Sequence, residues 1–120
     1  HNSVQARDLI GDIKGKTCVI IDDMIDTAGT ICAAADLLAE HGAKEVYGMA
    51  THGILSNPAI ERINASSFKK VVITNTLPLD ALKKSKKIEV LSIAPIISDA
   101  IAAVFAGLSV SDIFDGQNQI

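Results

Sequence analysis

Four apolar, mostly β-branched runs alternate along this chain with segments whose apolar positions recur every three or four residues. Thr17, Cys18, Val19, Ile20 and Ile21 are followed abruptly by Asp22 and Asp23, the pattern of a strand buried on both faces. Beyond a loop from Met24 to Gly29, the residues Ile31, Ala34, Ala35, Leu38 and Ala39 fall at helical spacing, and Gly42 after His41 supplies a stop. This spacing predicts a helix over 30–41. Glu45 to Ala50 reads as a second strand running out at Thr51, His52 and Gly53, and Asn57-Pro58 opens a short helix ending near Ile63. Lys70 to Thr74 is a third strand, Ile88 to Ser92 a fourth, and a helix is expected from Ile93 or Pro95 to Phe105. The alternation predicts an α/β domain spanning 1–120, a doubly wound parallel sheet with helices on both faces. Binding chemistry then belongs at the carboxyl ends of the strands.

Composition narrows the function. The chain has 120 residues, of which 48% are hydrophobic and 21% charged, with a mean hydropathy of +0.32. That describes one globular domain, large enough to bury roughly two thirds of its unfolded surface without disulfide or metal. Fourteen acidic residues against eleven basic ones give a net charge of -3. This sign, with three Phe, one Tyr and no Trp, argues against a nucleic-acid partner. The most apolar stretch, Ser92 to Val110, is interrupted by Pro95 and Asp99, and a central acid costs about 2.5–3.5 kcal/mol in a membrane span. It reads as a buried helix, not an anchor. Cys18 and Cys32 have no metal or redox spacing and read as small buried thiols of a cytoplasmic protein. The run Lys83, Lys84, Lys86 and Lys87 reads as a solvated connection. A beginning at His1, with no leader, reads as a processed or truncated chain.

The segment Val19 to Thr30 carries the chemistry. A helix start offers unpaired N–H groups and the positive end of the helix dipole, and Gly29 lets backbone curl around an anion. Thr27 and Thr30 add hydroxyl donors, while ionised Asp22 and Asp23 accept hydrogen bonds from vicinal hydroxyls such as those of a ribose. Singly, Asp26 or Thr27 would be an ordinary N-cap and Gly29 a turn residue. Jointly they describe a loop that holds a phosphate beside acids that hold a sugar. A phosphoacceptor receiver domain shares the acid pair. It also needs an Asp after a later strand and a Lys after the last, where this chain has Thr51-His52-Gly53, Thr74-Asn75-Thr76 and Ser92.

Asp22-Asp23-Met24-Ile25-Asp26-Thr27-Ala28-Gly29-Thr30 resembles the phosphoribosyl-diphosphate motif of type I phosphoribosyltransferase folds, in the variant of the ribose-phosphate diphosphokinase family. Ile10 to Lys16, Ala50 to Gly53, Thr74 to Pro78, Ser92 to Pro95 with the helix that follows, and Ser109 to Ser111 before Phe114 are similar to the carboxyl-terminal part of that family. The resemblance spans essentially the whole chain. It implies a partial domain of an enzyme that transfers the diphosphoryl group of Mg-ATP to ribose 5-phosphate, giving 5-phosphoribosyl 1-diphosphate and AMP. By the same resemblance Asp22 and Asp23 bind the ribose hydroxyls, directly or through Mg2+ and water. Asp26, Thr27, Ala28, Gly29 and Thr30 surround the 5-phosphate, with the Asp26 carboxylate expected to turn back onto its own loop amides. Ser109, Ser111 and Phe114 correspond to an allosteric nucleotide site, and the assembly is a cytoplasmic homo-oligomer, a hexamer. No catalytic residue falls within 1–120: the family's Lys-bearing loop and ATP domain have no counterpart, and His1, His41 and His52 do not replace them. A base-specific phosphoribosyltransferase and a non-catalytic regulatory homologue are the alternatives, the first lacking base-recognition groups here, the second expected to have lost the acidic loop.

Overall fold

The fold was analysed on a computed structural model that describes residues 11–80 and 84–114. His1, Ile10 and Lys83, singled out above, lie outside the described residues. Strand β1 (Thr17–Ile25) leads into α1 (Gly29–Glu40), then β2 (Glu45–Gly53), α2 (Ala59–Ala65), β3 (Phe68–Thr74), β4 (Ile88–Leu91) and α3 (Ala94–Phe105), with a 3-10 turn over Val110–Phe114. Strand β1 continues past Asp22 and Asp23 because its ladder to β2 does, pairing Met24 with His52 and Ile25 with Gly53. Backbone pairing outlasts the apolar run. At the amino end of the sheet Glu45 accepts hydrogen bonds from Tyr47 and from Lys69 of β3, and the Lys69 contact holds the half-buried Glu45 carboxyl below its usual range.

The four strands form one parallel sheet in the order β1-β2-β3-β4. Because each strand is added beside the one before it, right-handed crossovers bring successive helices to the same face. Helix α1 packs on β1, β2 and β3, and α2 packs on β3 and on α1. The core lies beneath them: Ile31, Cys32 and Ala35 of α1 and Ala59 and Ile63 of α2 meet Val46, Ala50, Phe68, Val71 and Ile73. The fit is close enough to demand glycine at the end of β2, where a Cβ on Gly53 would come within 2.5 Å of Ile73 Cδ1.

Helices on both faces are not found among the described residues. The second face is open, with Val19 half exposed and Ile21 at 78%, so β1 is not the doubly buried strand its apolar run predicts. An unbroken apolar run says that both faces are oily, not that both have partners. The same correction applies to α3. Ile97, Ile101, Val104 and Phe105 are exposed, only Ala103 is buried, and the helix contacts the 3-10 turn but no strand. No helix among the described residues is long and apolar enough to cross a membrane.

Ile63 is fully buried, and Ile63→Ala is expected to cost about 2–5 kcal/mol of unfolding free energy. Ile21→Ala on the open face should change it by less than about 0.5 kcal/mol. Urea melts of the 120-residue chain giving equal losses would contradict this division of the sheet.

Candidate functional site

Parallel pairing carries all four strand ends to one edge. Asp22 lies beside Ala50, Ala50 beside Ile73, and Thr74 beside Leu91, so the β1–α1 loop, Thr51 to Gly53, Thr74 to Thr76 and Ser92 share that edge. These ends are stitched together. Thr74 Oγ1 donates to the Thr51 carbonyl at 2.6 Å, and His52 Nδ1 lies 2.7 Å from Thr76 Oγ1. The Asn75 amide donates to Ser92 Oγ at 3.3 Å, and its carbonyl accepts from Ile93 N–H at 2.9 Å. His52, without an assigned role in the sequence, is therefore a half-buried strut between β2 and the β3–β4 connection. His41 is a helix-end residue, its Nδ1 2.8 Å from the Leu37 carbonyl.

Both carboxylates of the acid pair are exposed, and each accepts the next residue's N–H at 2.8 Å: Asp22 from Asp23, and Asp23 from Met24. Successive strand residues point to opposite sides, so the two carboxylates diverge and their repulsion is less than adjacency in sequence implies. Among the described residues no group of three or more His, Cys, Asp or Glu is placed to hold a metal. The donor set suits Mg2+ only as that ion is usually held, through one or two carboxylates with waters and substrate phosphate completing the shell.

At the start of α1 the backbone departs from expectation in an informative way. The residue that curls is Ala28, at φ 61° and ψ 10°, not Gly29, which is already helical. A non-glycine residue held there costs on the order of 1–3 kcal/mol and persists only when its surroundings enforce it. Ala28 is the N-cap, and no side chain caps the helix. Neither Asp26 nor Thr27 does so, and the Asp26 carboxylate makes no hydrogen bond to the loop amides: a left-handed Ala28 carries residues 26 and 27 away from the cap position. The first helical bond runs from Cys32 N–H to the Ala28 carbonyl at 3.1 Å, leaving the N–H groups of Gly29, Thr30 and Ile31 with no intrahelical acceptor. No acid lies in the first turn. An uncapped helix start of this kind, flanked by the exposed Thr27 and Thr30 hydroxyls, offers hydrogen-bond donors and positive potential of the sort that suit an anion.

Sequence reasoning missed Arg62. It arrives from α2, and its Nη1 donates to the Thr27 carbonyl at 2.9 Å. A Cβ on Gly29 would stand 3.3 Å from that nitrogen. The bare glycine thus leaves room for a guanidinium rather than serving the turn itself. The only available signal was that successive parallel crossovers set α2 beside α1. Between the two helices lies a cavity of about 690 Å³ lined by Thr27, Thr30, Cys32, Asp36, Arg62 and Ser66 among others.

Ser109, Ser111 and Phe114 are not brought to this edge. They lie on the 3-10 turn and the residues before it, which contact α3, and Ser109 Oγ accepts the Ser111 N–H at 3.2 Å. Ser109 lines a depression of about 430 Å³ together with Asp99 and Asp112; Ser111 and Phe114 do not.

Burial pushes the Cys32 thiol above its ordinary range, with Asp36 adding to the effect and Ser66 opposing it. A thiol that stays protonated in the fold ionises first in the unfolded chain, so stability should fall as pH rises from the unfolded value toward the raised folded one. At pH 8 a disulfide reagent should modify Cys32 much more slowly in native than in urea-unfolded protein. Equal rates would contradict the burial.

The phosphoribosyl synthetase-associated domain model matches residues 5–115. Over 113 residues the chain is 51% identical to a ribose-phosphate pyrophosphokinase of Caldanaerobacter subterraneus subsp. tengcongensis, covering 94% of this chain and 36% of that protein. It is 54% identical over 114 residues to one from Oceanobacillus iheyensis, covering 95% of this chain and 36% of the other. A crystal structure of phosphoribosylpyrophosphate synthetase from Mycobacterium smegmatis superposes with a TM-score of 0.78 at 51% identity, over 82% of this chain and 33% of that one. The chain thus spans roughly a third of the length of these relatives. With the same parallel α/β architecture and a match over nearly its whole length, the chain belongs to the phosphoribosyl synthetase-associated domain family.

Proposed function

We propose that this chain is the sugar-phosphate-binding part of a ribose-phosphate pyrophosphokinase, an enzyme that moves a diphosphoryl group from ATP to the C1 hydroxyl of ribose 5-phosphate. The observation that carries the reading is the uncapped start of α1. Three N–H groups without intrahelical partners, two threonine hydroxyls and the positive end of a helix converge where no carboxylate competes in the first turn. A phosphate dianion there gains charge-assisted hydrogen bonds that water does not match in a partly enclosed site.

The remaining roles follow from position. Residues Asp26, Thr27, Ala28, Gly29 and Thr30 surround the 5-phosphate, Ala28 and Gly29 through backbone N–H groups. Asp22 and Asp23, with oxygens exposed at the mouth of β1, accept hydrogen bonds from the ribose hydroxyls or hold water on Mg2+. If Mg2+ were held there by Asp22 and Asp23 through water, it would supply positive charge against the charge of the transferring phosphates. The chain's own residues fix the sugar and exclude alternative orientations of its C1 hydroxyl. No cationic side chain of the described residues is assigned to the transferring phosphates, so the chemical step belongs to other parts of the longer protein. Ser109, Ser111 and Phe114 are assigned to a separate regulatory nucleotide site beside α3, and the enzyme is placed in the cytoplasm as a homo-oligomer.

The test is formation of AMP from ATP, ribose 5-phosphate and magnesium. Full-length protein should turn over and the 120 residues alone should not, since losing even one charge-stabilising donor typically costs about 100- to 1000-fold. In the full-length enzyme Asp22→Asn should raise the KM for ribose 5-phosphate while leaving the melting temperature within a few degrees. Gly29→Val, whose side chain would displace Arg62 and crowd the loop, should abolish ribose 5-phosphate binding in calorimetry. Turnover by the 120 residues near the full-length rate, or unaltered binding by Gly29→Val, would overturn the assignment.

A further inference from the structure

We infer that Arg62 is a positioning residue for the phosphate loop, acting from the neighbouring helix through the Thr27 carbonyl; the inference rests on the ribose 5-phosphate reading of that loop. Its geometric basis is a single peptide plane. Arg62 Nη1 holds the Thr27 oxygen at 2.9 Å on the side of the α1–α2 cavity. Because the peptide is planar and trans, the N–H of Ala28 points the opposite way, away from Arg62. Releasing the carbonyl frees that plane to rotate and turn an oxygen toward the phosphate where a donor should be. The same contact explains how a left-handed Ala28 persists without a side-chain cap: its preceding peptide is clamped from outside the loop.

The electrostatics point the same way. Among the described residues Arg62 forms no ion pair, and the one salt bridge is that of Lys69 with Glu45. Asp36 lines the same cavity but directs Oδ1 to the Ser67 N–H at 2.7 Å. With no carboxylate in ion-pair contact among the described residues, the guanidinium stands beside the positive end of α1, whose first turn contains no acid. Two like charges side by side are unfavourable until an anion lies between them. The clamp on Thr27 uses one of the five N–H donors of the guanidinium, and the bare Gly29 admits it to the loop at the distance a methyl group would contest. Arg62 thus orients the loop donors and raises the local positive potential, without contact to the reacting atoms.

The experiment compares full-length wild-type protein with Arg62→Gln, Arg62→Lys and Gly29→Ala, titrating ribose 5-phosphate by calorimetry and following steady-state rates. For Arg62→Gln the Kd and KM for ribose 5-phosphate should rise about tenfold or more, the scale of one charge-assisted contact, with the KM for ATP unchanged within about twofold. Arg62→Lys should recover part of the loss, since it restores charge and a donor but not the planar fork. Gly29→Ala, which crowds the guanidinium without altering it, should weaken ribose 5-phosphate binding in the same direction, and it keeps the inference testable if Arg62→Gln does not fold. Unchanged ribose 5-phosphate affinity in Arg62→Gln or in Gly29→Ala would overturn the inference, as would an equal loss of ATP affinity. Failure of the wild-type protein to bind ribose 5-phosphate would instead overturn the functional reading itself.

Discussion

The parallel ladder is the constraint from which the rest of this structure follows. Every strand runs the same way, so every chain reversal is a crossover, and every carboxyl end arrives at one edge with its loop facing the others. The order β1-β2-β3-β4 then decides what those loops meet. Because successive crossovers stay on one face, α2 lies against α1, and a side chain near the end of α2 can reach the loop that opens α1. The covered face has a dense core while the other remains oily and open. Site and open face are two consequences of one topology.

Strain is concentrated where the ladder ends. Ala28 and Leu55 are the non-glycine residues at positive φ among the described residues, and both follow strand ends that meet at Ile25: the Ile25 carbonyl accepts the N–H groups of Ile54 and Leu55 at 3.0 and 3.1 Å. Leu55 is fully buried, so packing holds its conformation. Ala28 is held by packing and by the Arg62 contact to the preceding peptide. An arrangement of this kind exchanges a small loss of stability for a loop whose donors are set in place before any ligand arrives, so less ordering remains to oppose binding.

Much of this was legible in the residues. Four apolar runs located the strands, and the parallel α/β sheet with Asp22, Thr51 and Thr74 at its carboxyl edge is the one observed. The boundaries moved where backbone pairing outlasted the apolar run, as at Asp22 to Ile25. What hydropathy could not reveal was partnership. Val19, Ile21 and the faces of α3 are apolar enough to be buried, but apolarity names no partner, and none covers them among the described residues. At the loop, residue types suggested an anion place and did not reveal its backbone geometry. Gly29 looked like the flexible point because glycine is permissive; the left-handed residue is Ala28, and a Cβ on Gly29 would stand 3.3 Å from Arg62 Nη1. Arg62 stands 35 positions from Thr27, and no local pattern joins them.

The measurement that bears most directly on the account is a crystal structure of the full-length protein with ribose 5-phosphate. The phosphate oxygens should lie within hydrogen-bond reach of the N–H groups of Ala28, Gly29 and Thr30 and of the Thr27 and Thr30 hydroxyls, with the ribose hydroxyls toward Asp22 and Asp23 and the Thr27 carbonyl still turned to Arg62. A phosphate seated elsewhere, for instance in the depression beside α3, with the start of α1 bare, would contradict it.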